Sequence, residues 1–270
     1  MRLATVLPMI GIVAVAAGAG GTALGWRAGS ADTLMRLVGD EDATVRRTVA
    51  VRHALGMDRA HGLYGQDLWV LHSRFPDVRD GFFVDVGSAD GVHLSNTKAL
   101  EARGWRGVCI DPFPRNMETR TCRTVARPVD AEAGRVLRFF EPGTFGGGLL
   151  EYAGWWVSEQ AKARSVEVTT TTLADVLERA GAPPFIHYMN LDIEGAEYEA
   201  LRTFPFDRYR IGALTVEHNN VESRRAAIRE LLERHGYRLE WAIRDQDWYV
   251  PAEPEDAASS DAPDTGVRTN

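Results

Sequence analysis

The sequence lacks the features of a disulfide scaffold, a polyanion binder or a phosphate loop. It holds two cysteines in 270 residues, Cys109 and Cys122, too few for a disulfide framework in a chain of this size. Cys109 falls inside an apolar stretch and reads as a small core residue. There is no basic excess. The formal net charge is -7, and Glu253, Glu255, Asp256, Asp261 and Asp264 against Arg268 put -4 of it in the last twenty residues. That leaves no electrostatic footprint for nucleic acid. The three glycines at 146–148 are not followed by Lys-Ser/Thr, so they do not cradle a phosphate. The histidines show no metal-ligand spacing. The rest is ordinary for a globular protein, 44% hydrophobic and 26% charged, enough for one large α/β domain or two small ones.

Residues 81–97, GFFVDVGSADGVHLSNT, organise the chain. An apolar strand, Phe82 to Val86, carries Asp85 and runs into Gly87-Ser-Ala-Asp-Gly91. A helix is expected from about Leu94 to Arg103, closed by Gly104. In an open α/β sheet such a turn is where a nucleotide-like ligand sits. A dinucleotide fingerprint needs glycine at its first, third and sixth positions. Here those are Gly87, Ala89 and Val92. Asp-x-Gly-x-x-x-Gly is instead a form that serves S-adenosylmethionine, which has no phosphate; any tight strand-to-helix turn is the bland alternative. Glycine at 87 is expected where backbone meets ligand, so Gly87→Val should block the cofactor while the fold survives.

Residues 3–25 contain no charge and are long enough to span a bilayer. They read as a membrane anchor, with a cleaved signal peptide or sequence upstream of a start at Met35 or Met57 as alternatives. An enzyme that needs S-adenosylmethionine works where that cofactor is made. The expected arrangement is therefore a membrane anchor with a cytosolic catalytic domain, and a cytoplasmic protein is the alternative. Four segments follow: an apolar N-terminal stretch over 1–30, a helical connector over 31–62, a catalytic domain over 63–250 and a disordered acidic tail over 251–270.

Val108-Cys-Ile-Asp111 is a second buried strand. Its terminal acid, about 20 residues past the glycine loop, is placed to accept ribose hydroxyls. A third strand, Val125 to Val129, ends at Asp130, which could reach an adenine amino group; an exposed turn acid fits equally. Strands at 134–141 and 164–170 flank a glycine loop and a helix with Trp155 and Trp156, and this region reads as a lid or substrate loop. Thr172-Leu-Ala-Asp175 has capping-box form and opens a helix to Ala180. Ile186 to Ile193 is a strand ending at Asp192. Ile211 to Val216 ends at Glu217-His218. A helix runs from Glu222 to His235, and a hairpin with its turn at Asp245-Gln-Asp247 closes the domain. Alternating strands and helices with a reversed last strand give a doubly wound α/β sheet with a terminal antiparallel hairpin.

With the glycine loop, this outline matches the Rossmann-like fold of class I methyltransferases, and residues 64–250 resemble the FkbM methyltransferases. The resemblance rests on Tyr64-Gly-Gln-Asp67, FFVDVGSADGVHLSNT, GWRGVCIDPFP (104–114), Val168-Thr-Thr-Thr-Thr-Leu173, NLDIEGAEYEAL (190–201) and Thr215-Val-Glu217. It implies S-adenosylmethionine as cofactor and a hydroxyl of a small molecule or sugar as methyl acceptor. It puts Asp85, Gly87 and Gly91 in the cofactor loop. Asp111 stands where the family usually has Glu. Asp192 and Glu194 match an acidic motif at the end of the fourth strand. The candidate cofactor contacts are thus Asp85, Gly87, Asp90, Gly91, Asp111 and Asp130, and the candidate catalytic residues are Asp192, Glu217 and His218.

Methyl transfer is an in-line displacement in which alignment does most of the work. A hydroxyl acceptor must also lose its proton. An ordinary carboxylate is a poor base for an alcohol. Either burial raises the pKa of Asp192, or Mg²⁺ lowers that of the alcohol, with oxygens from Asp192, Glu194 and Glu217. Alternatively, Asp192 binds the cofactor amine and only Glu217 and His218 meet the acceptor. A nucleotide-binding oxidoreductase and a non-catalytic, membrane-tethered relative are the competing functions.

Overall fold

The computed structural model describes residues 61–140, 147–154, 157–158, 162 and 164–252. The apolar run at 3–25, the helical connector up to residue 60, Trp155, Trp156 and the tail beyond Ala252 lie outside them. No helix among the described residues is long and apolar enough to cross a membrane.

The core is a sheet built from short apolar runs that read as strands because both faces are covered. Its strands are β1 (Phe82–Val86), β2 (Arg106–Ile110), β3 (Arg123–Val125), β8 (Tyr188–Leu191), β10 (Leu214–Glu217), β11 (Tyr237–Ile243) and β12 (Gln246–Pro251). Their order is β11-β12-β10-β8-β1-β2-β3. All neighbours are parallel except β12, which pairs antiparallel with both β10 and β11. This is the Rossmann-like class I methyltransferase arrangement, with the terminal hairpin as the reversed element. The order reverses between β1 and β8, which opens a crevice at their carboxyl ends.

The intervening strands are β4 (Val136–Phe140), β5 (Gly148–Leu149), β6 (Val166–Thr169), β7 (Phe185–Ile186) and β9 (Arg210–Ile211). The strands expected at 134–141 and 164–170 stay out of the main sheet. With β5 they make a separate three-stranded sheet, ordered β5-β4-β6.

The α-helices among the described residues are α1 (Gln66–Trp69), α2 (Lys98–Ala102), α3 (Leu173–Ala180), α4 (Glu197–Arg202) and α5 (Glu222–Arg234). Successive strand residues point to opposite faces. Val84 and Val86 of β1 join a core with Leu177 of α3, Leu201 of α4 and Ile228 of α5. Phe83 joins a second core with Trp69, Leu100, Trp105 and Trp248. The Thr172 hydroxyl caps α3 by accepting from the Asp175 N–H at 3.1 Å, as its capping-box sequence implies.

Two expectations are corrected. The helix after the glycine loop starts at Lys98, not Leu94, because side-chain contacts hold the chain just before it. Cys109 is buried, but not as a free thiol: it forms a disulfide with Cys122, at a Cα–Cα separation of 5.9 Å. The bond ties β2 to the segment entering its parallel neighbour β3.

Candidate active site

A cavity of about 210 Å³ lies at the carboxyl ends of β1 and β8. Asp85, Gly87, Asp111, Asp192 and Glu217 all line it, so one crevice gathers residues far apart in sequence. Asp90, Gly91, Asp130 and His218 do not line it, and each has a visible reason.

The loop after β1 is shaped from below. Asp85 is buried and accepts from the Thr97 hydroxyl at 2.5 Å and from Asn190 Nδ2 at 3.1 Å. Burial raises its carboxyl above the ordinary range, against the pull of Arg120 and those two hydrogen bonds. Gly87 has φ +86°, and a Cβ there would lie 1.7 Å from the Asp192 carbonyl oxygen. Crowding by the neighbouring strand's end therefore demands glycine before any ligand is considered. Asp90 turns inward on its own loop, accepting from the N–H groups of Val92 and His93 at 2.9 and 2.8 Å. The carbonyl of Gly91 accepts from Arg120 at 2.7 Å. Both residues hold the loop's shape rather than face the cavity.

Asp111 accepts from the Ala89 N–H at 2.9 Å and the Phe113 N–H at 2.8 Å. Burial raises its carboxyl despite those bonds. It joins the glycine loop to the end of β2 and presents its remaining lone pairs to the cavity. Phe113, Pro128, Val129 and Leu149 supply apolar wall beside it. The Ser88 hydroxyl is buried on the same wall without a hydrogen-bond partner.

Asp130 is taken up elsewhere. Its carboxylate accepts from Arg135 at 2.6 Å and from the Tyr152 hydroxyl at 2.8 Å. The residue is fully buried in this pairing and is not among those that line the cavity. His218 lies behind the cavity wall. Its Nδ1 accepts from the Asn220 N–H at 3.2 Å, and its Nε2 stands 3.8 Å from Asp247. His218, expected to face the acceptor, is thus not among the residues that line the cavity.

At the far end of the cavity, oxygens of Asp192, Glu194 and Glu217 lie within 4.8 Å of one another. Burial, then the charge of Glu194, push the Asp192 carboxyl up to about 8. Burial and Asp192 push Glu217 well above its ordinary range. Two carboxyls this close cannot both ionise cheaply. Glu217 Oε2 is buried without a partner. Glu194 is in the left-handed region at φ +56° and accepts from Asn219 at 3.1 Å. The geometry provides a proton acceptor of near-neutral affinity on the wall of a partly apolar cleft.

This pair should make stability fall with pH. The Asp192 carboxyl is raised from 3.8 to about 8, so the folded state resists an ionisation that the unfolded chain makes freely. The stability present below about pH 4 is lost as pH rises through about 8. Asp192→Asn escapes that loss. Its melting temperature is expected to gain on wild type progressively across this window, as read by thermal unfolding at several pH values. A constant gap across the window would contradict the assignment.

Gln66, Asn190 and Gln246 also line the cavity, and none stands out in the sequence. Each is an uncharged amide inside a stretch already explained by its neighbours. The only signal is that Gln66 belongs to Tyr64-Gly-Gln-Asp67, and Asn190 heads the stretch that ends in Glu194-Gly195.

The family described as Methyltransferase FkbM domain matches residues 85–239 of the chain. No curated protein matches it. Among solved structures, precorrin-6y C5,15-methyltransferase from Geobacter metallireducens GS-15 is similar, with 11% identity and a TM-score of 0.39, over 73% of this chain and 91% of that one.

Proposed function

The chain belongs to the FkbM methyltransferase family, and from that membership we propose that it moves a methyl group from S-adenosylmethionine to a hydroxyl of a small molecule or glycan. The observation that carries this is that one cavity is lined by both Asp111 and the Asp192–Glu217 carboxyl pair.

The residues present fit the cofactor. Asp111 would receive ribose hydroxyls, Phe113 and Val129 would flank the adenine, and the unpartnered Ser88 hydroxyl would meet the methionine part. Once bound, the cofactor supplies an electrophilic methyl on a sulfonium. Asp192 would face that methyl and take the proton of the acceptor hydroxyl, with Glu217 beside it. The raised proton affinity of Asp192 suits that role, since a base works best when its pKa is near the working pH. The carboxyl trio would also suit a divalent cation such as Mg²⁺. Loss of transfer on chelation would favour that second reading.

Residues 3–25 fit a membrane tether. Cofactor supply favours a cytosolic catalytic domain. Disulfides are rare in the cytosol, but burial of Cys109 and Cys122 shields their bond from exchange with small thiols. An untethered cytoplasmic enzyme is the alternative.

Calorimetry should show S-adenosylmethionine binding, weakened about tenfold or more in Asp111→Ala, the usual worth of hydrogen bonds to a charged group. Asp192→Asn should bind cofactor like wild type yet fail to transfer a labelled methyl into a small-molecule extract. A large loss of affinity in Asp192→Asn with transfer preserved at saturation would make it an amine-binding residue instead.

A further inference from the structure

Tyr64-Gly-Gln-Asp67 reaches the active end of the cavity through two side-chain amides. The Tyr64 backbone N–H can only donate, and it donates to Gln66 Oε1 at 2.9 Å. An amide has one accepting and one donating end. With its oxygen turned to Tyr64, Gln66 directs Nε2 at Gln246 and donates to its Oε1 at 2.8 Å. Gln246, its oxygen now engaged, can only offer Nε2 onward. That group faces Asp192 Oδ2 at 3.5 Å. The backbone donor at the head thus fixes the sense of every amide down to the carboxylate.

The surroundings keep the chain in line. Gln66 and Gln246 are 0% and 4% exposed. The Tyr64 hydroxyl donates to Asp245 at 3.0 Å, which pins the turn just before Gln246. Gln246 pairs with Glu217 in the β10–β12 ladder, so the last amide is carried to Asp192 by the strand next to the other carboxyl.

We propose that Gln66 and Gln246 are positioning residues: a relay of fixed polarity that presents an N–H to one oxygen of Asp192 and holds the other toward the transferring methyl. The inference rests on Asp192 facing that methyl. It explains why two glutamines are buried beside a carboxyl cluster. A carboxylate in either place could not donate onward; an apolar residue at 66 would let Gln246 turn its oxygen to Asp192, and one at 246 would leave Asp192 without the donor.

The test needs no acceptor. S-adenosylhomocysteine has a neutral sulfur, whereas sinefungin carries an amine where the methyl would be. In the full chain, calorimetry should find sinefungin bound more tightly than S-adenosylhomocysteine, because its amine meets Asp192. Gln246→Met and Gln66→Met should each reduce that preference by roughly tenfold, about one hydrogen bond to a charged group. S-adenosylhomocysteine affinity should fall far less in both, since both glutamines line the cavity but its neutral sulfur offers no amine for Asp192 to meet. Gln66→Met is the informative variant, because Gln66 acts on Asp192 only through Gln246. Gln246→Asn, which keeps the amide but falls short, gives the same reading if the Met variants do not fold. An unchanged preference, or equal weakening of both ligands as mere packing damage would give, overturns the relay. A wild type that binds both ligands without preference removes Asp192 from the methyl and the relay with it. A wild type that binds neither overturns the methyltransferase site itself.

Discussion

Gly87→Ala is expected to cost about 3–5 kcal/mol of stability, whereas the same change at Gly134 costs about 1–2 kcal/mol. Both glycines have a left-handed φ, +86° and +81°, so both substitutions bear the penalty of placing a side chain there. They differ in what the new methyl meets. At Gly134 nothing lies within 4 Å. At Gly87 the Asp192 carbonyl oxygen is 1.7 Å away. That oxygen is backbone, and β8 is fixed between β1 and β10, so no rotamer change relieves the clash. Denaturant unfolding of both variants reads the difference directly. A Gly87 variant no weaker than the Gly134 variant would mean that β8 yields. The expectation that Gly87→Val spares the fold is therefore reversed, and cofactor loss in that variant would say nothing about ligand contact.

Arg120→Met is expected to be nearly as damaging, by about 3–5 kcal/mol, because it leaves a buried carboxylate without its counter-charge. The Arg120 side chain is fully buried, and its Nε donates to Glu101 at 2.8 Å. Glu101 also accepts the N–H groups of Thr121 and Cys122. The other end of Arg120 donates to the Gly91 carbonyl, to the Ser95 hydroxyl and to Thr97 Oγ1 at 2.8 Å. Thr97 is the residue that donates to Asp85. One guanidinium thus holds the chain after the glycine loop in a non-helical path. Arg120→Met combined with Glu101→Gln should recover much of the stability, since no charge is then stranded. It should not recover the loop. Amide hydrogen exchange over 87–97 should be faster in both variants, because that segment loses its anchor. Unchanged exchange there would show that the segment holds its own shape.

The sheet is legible in the sequence because its signals are local. FFVDV and the apolar run before Asp111 read as buried parallel strands without reference to anything distant. Thr172 to Gly181 carries its own start and stop, with Gly181 at φ +63° closing α3. Ile228, Leu231 and Leu232 are buried on α5 as their helical spacing implies. The losses come where a distant partner decides. Residues 94–97 look helical, but Arg120 and Asp85 claim the polar groups of Ser95 and Thr97. Asp130 and His218 follow strands as catalytic residues often do. Arg135 and Tyr152 take the first, and the second turns toward Asp247. Cys109 and Cys122 meet only because β2 and β3 run side by side. The hairpin turn falls at Arg244, with φ +56°, one residue earlier than the polar run suggests. That shift puts Gln246 in β12 and brings its amide to the carboxyl pair.

β12 lies between β11 and β10, which has a consequence for assembly. The ribosome delivers Gln66 early and Gln246 180 residues later. β11 has no other partner in this sheet, so the β11–β12 hairpin must close before both strands can join the β10 edge. Pairings this distant form late and slowly. Until Gln246–Pro251 has emerged, β10 offers an unpaired edge carrying Leu214 and Val216, the kind of edge that templates aggregation. A nascent chain stalled before Gln246 is therefore an open sheet in need of a chaperone rather than a slower enzyme.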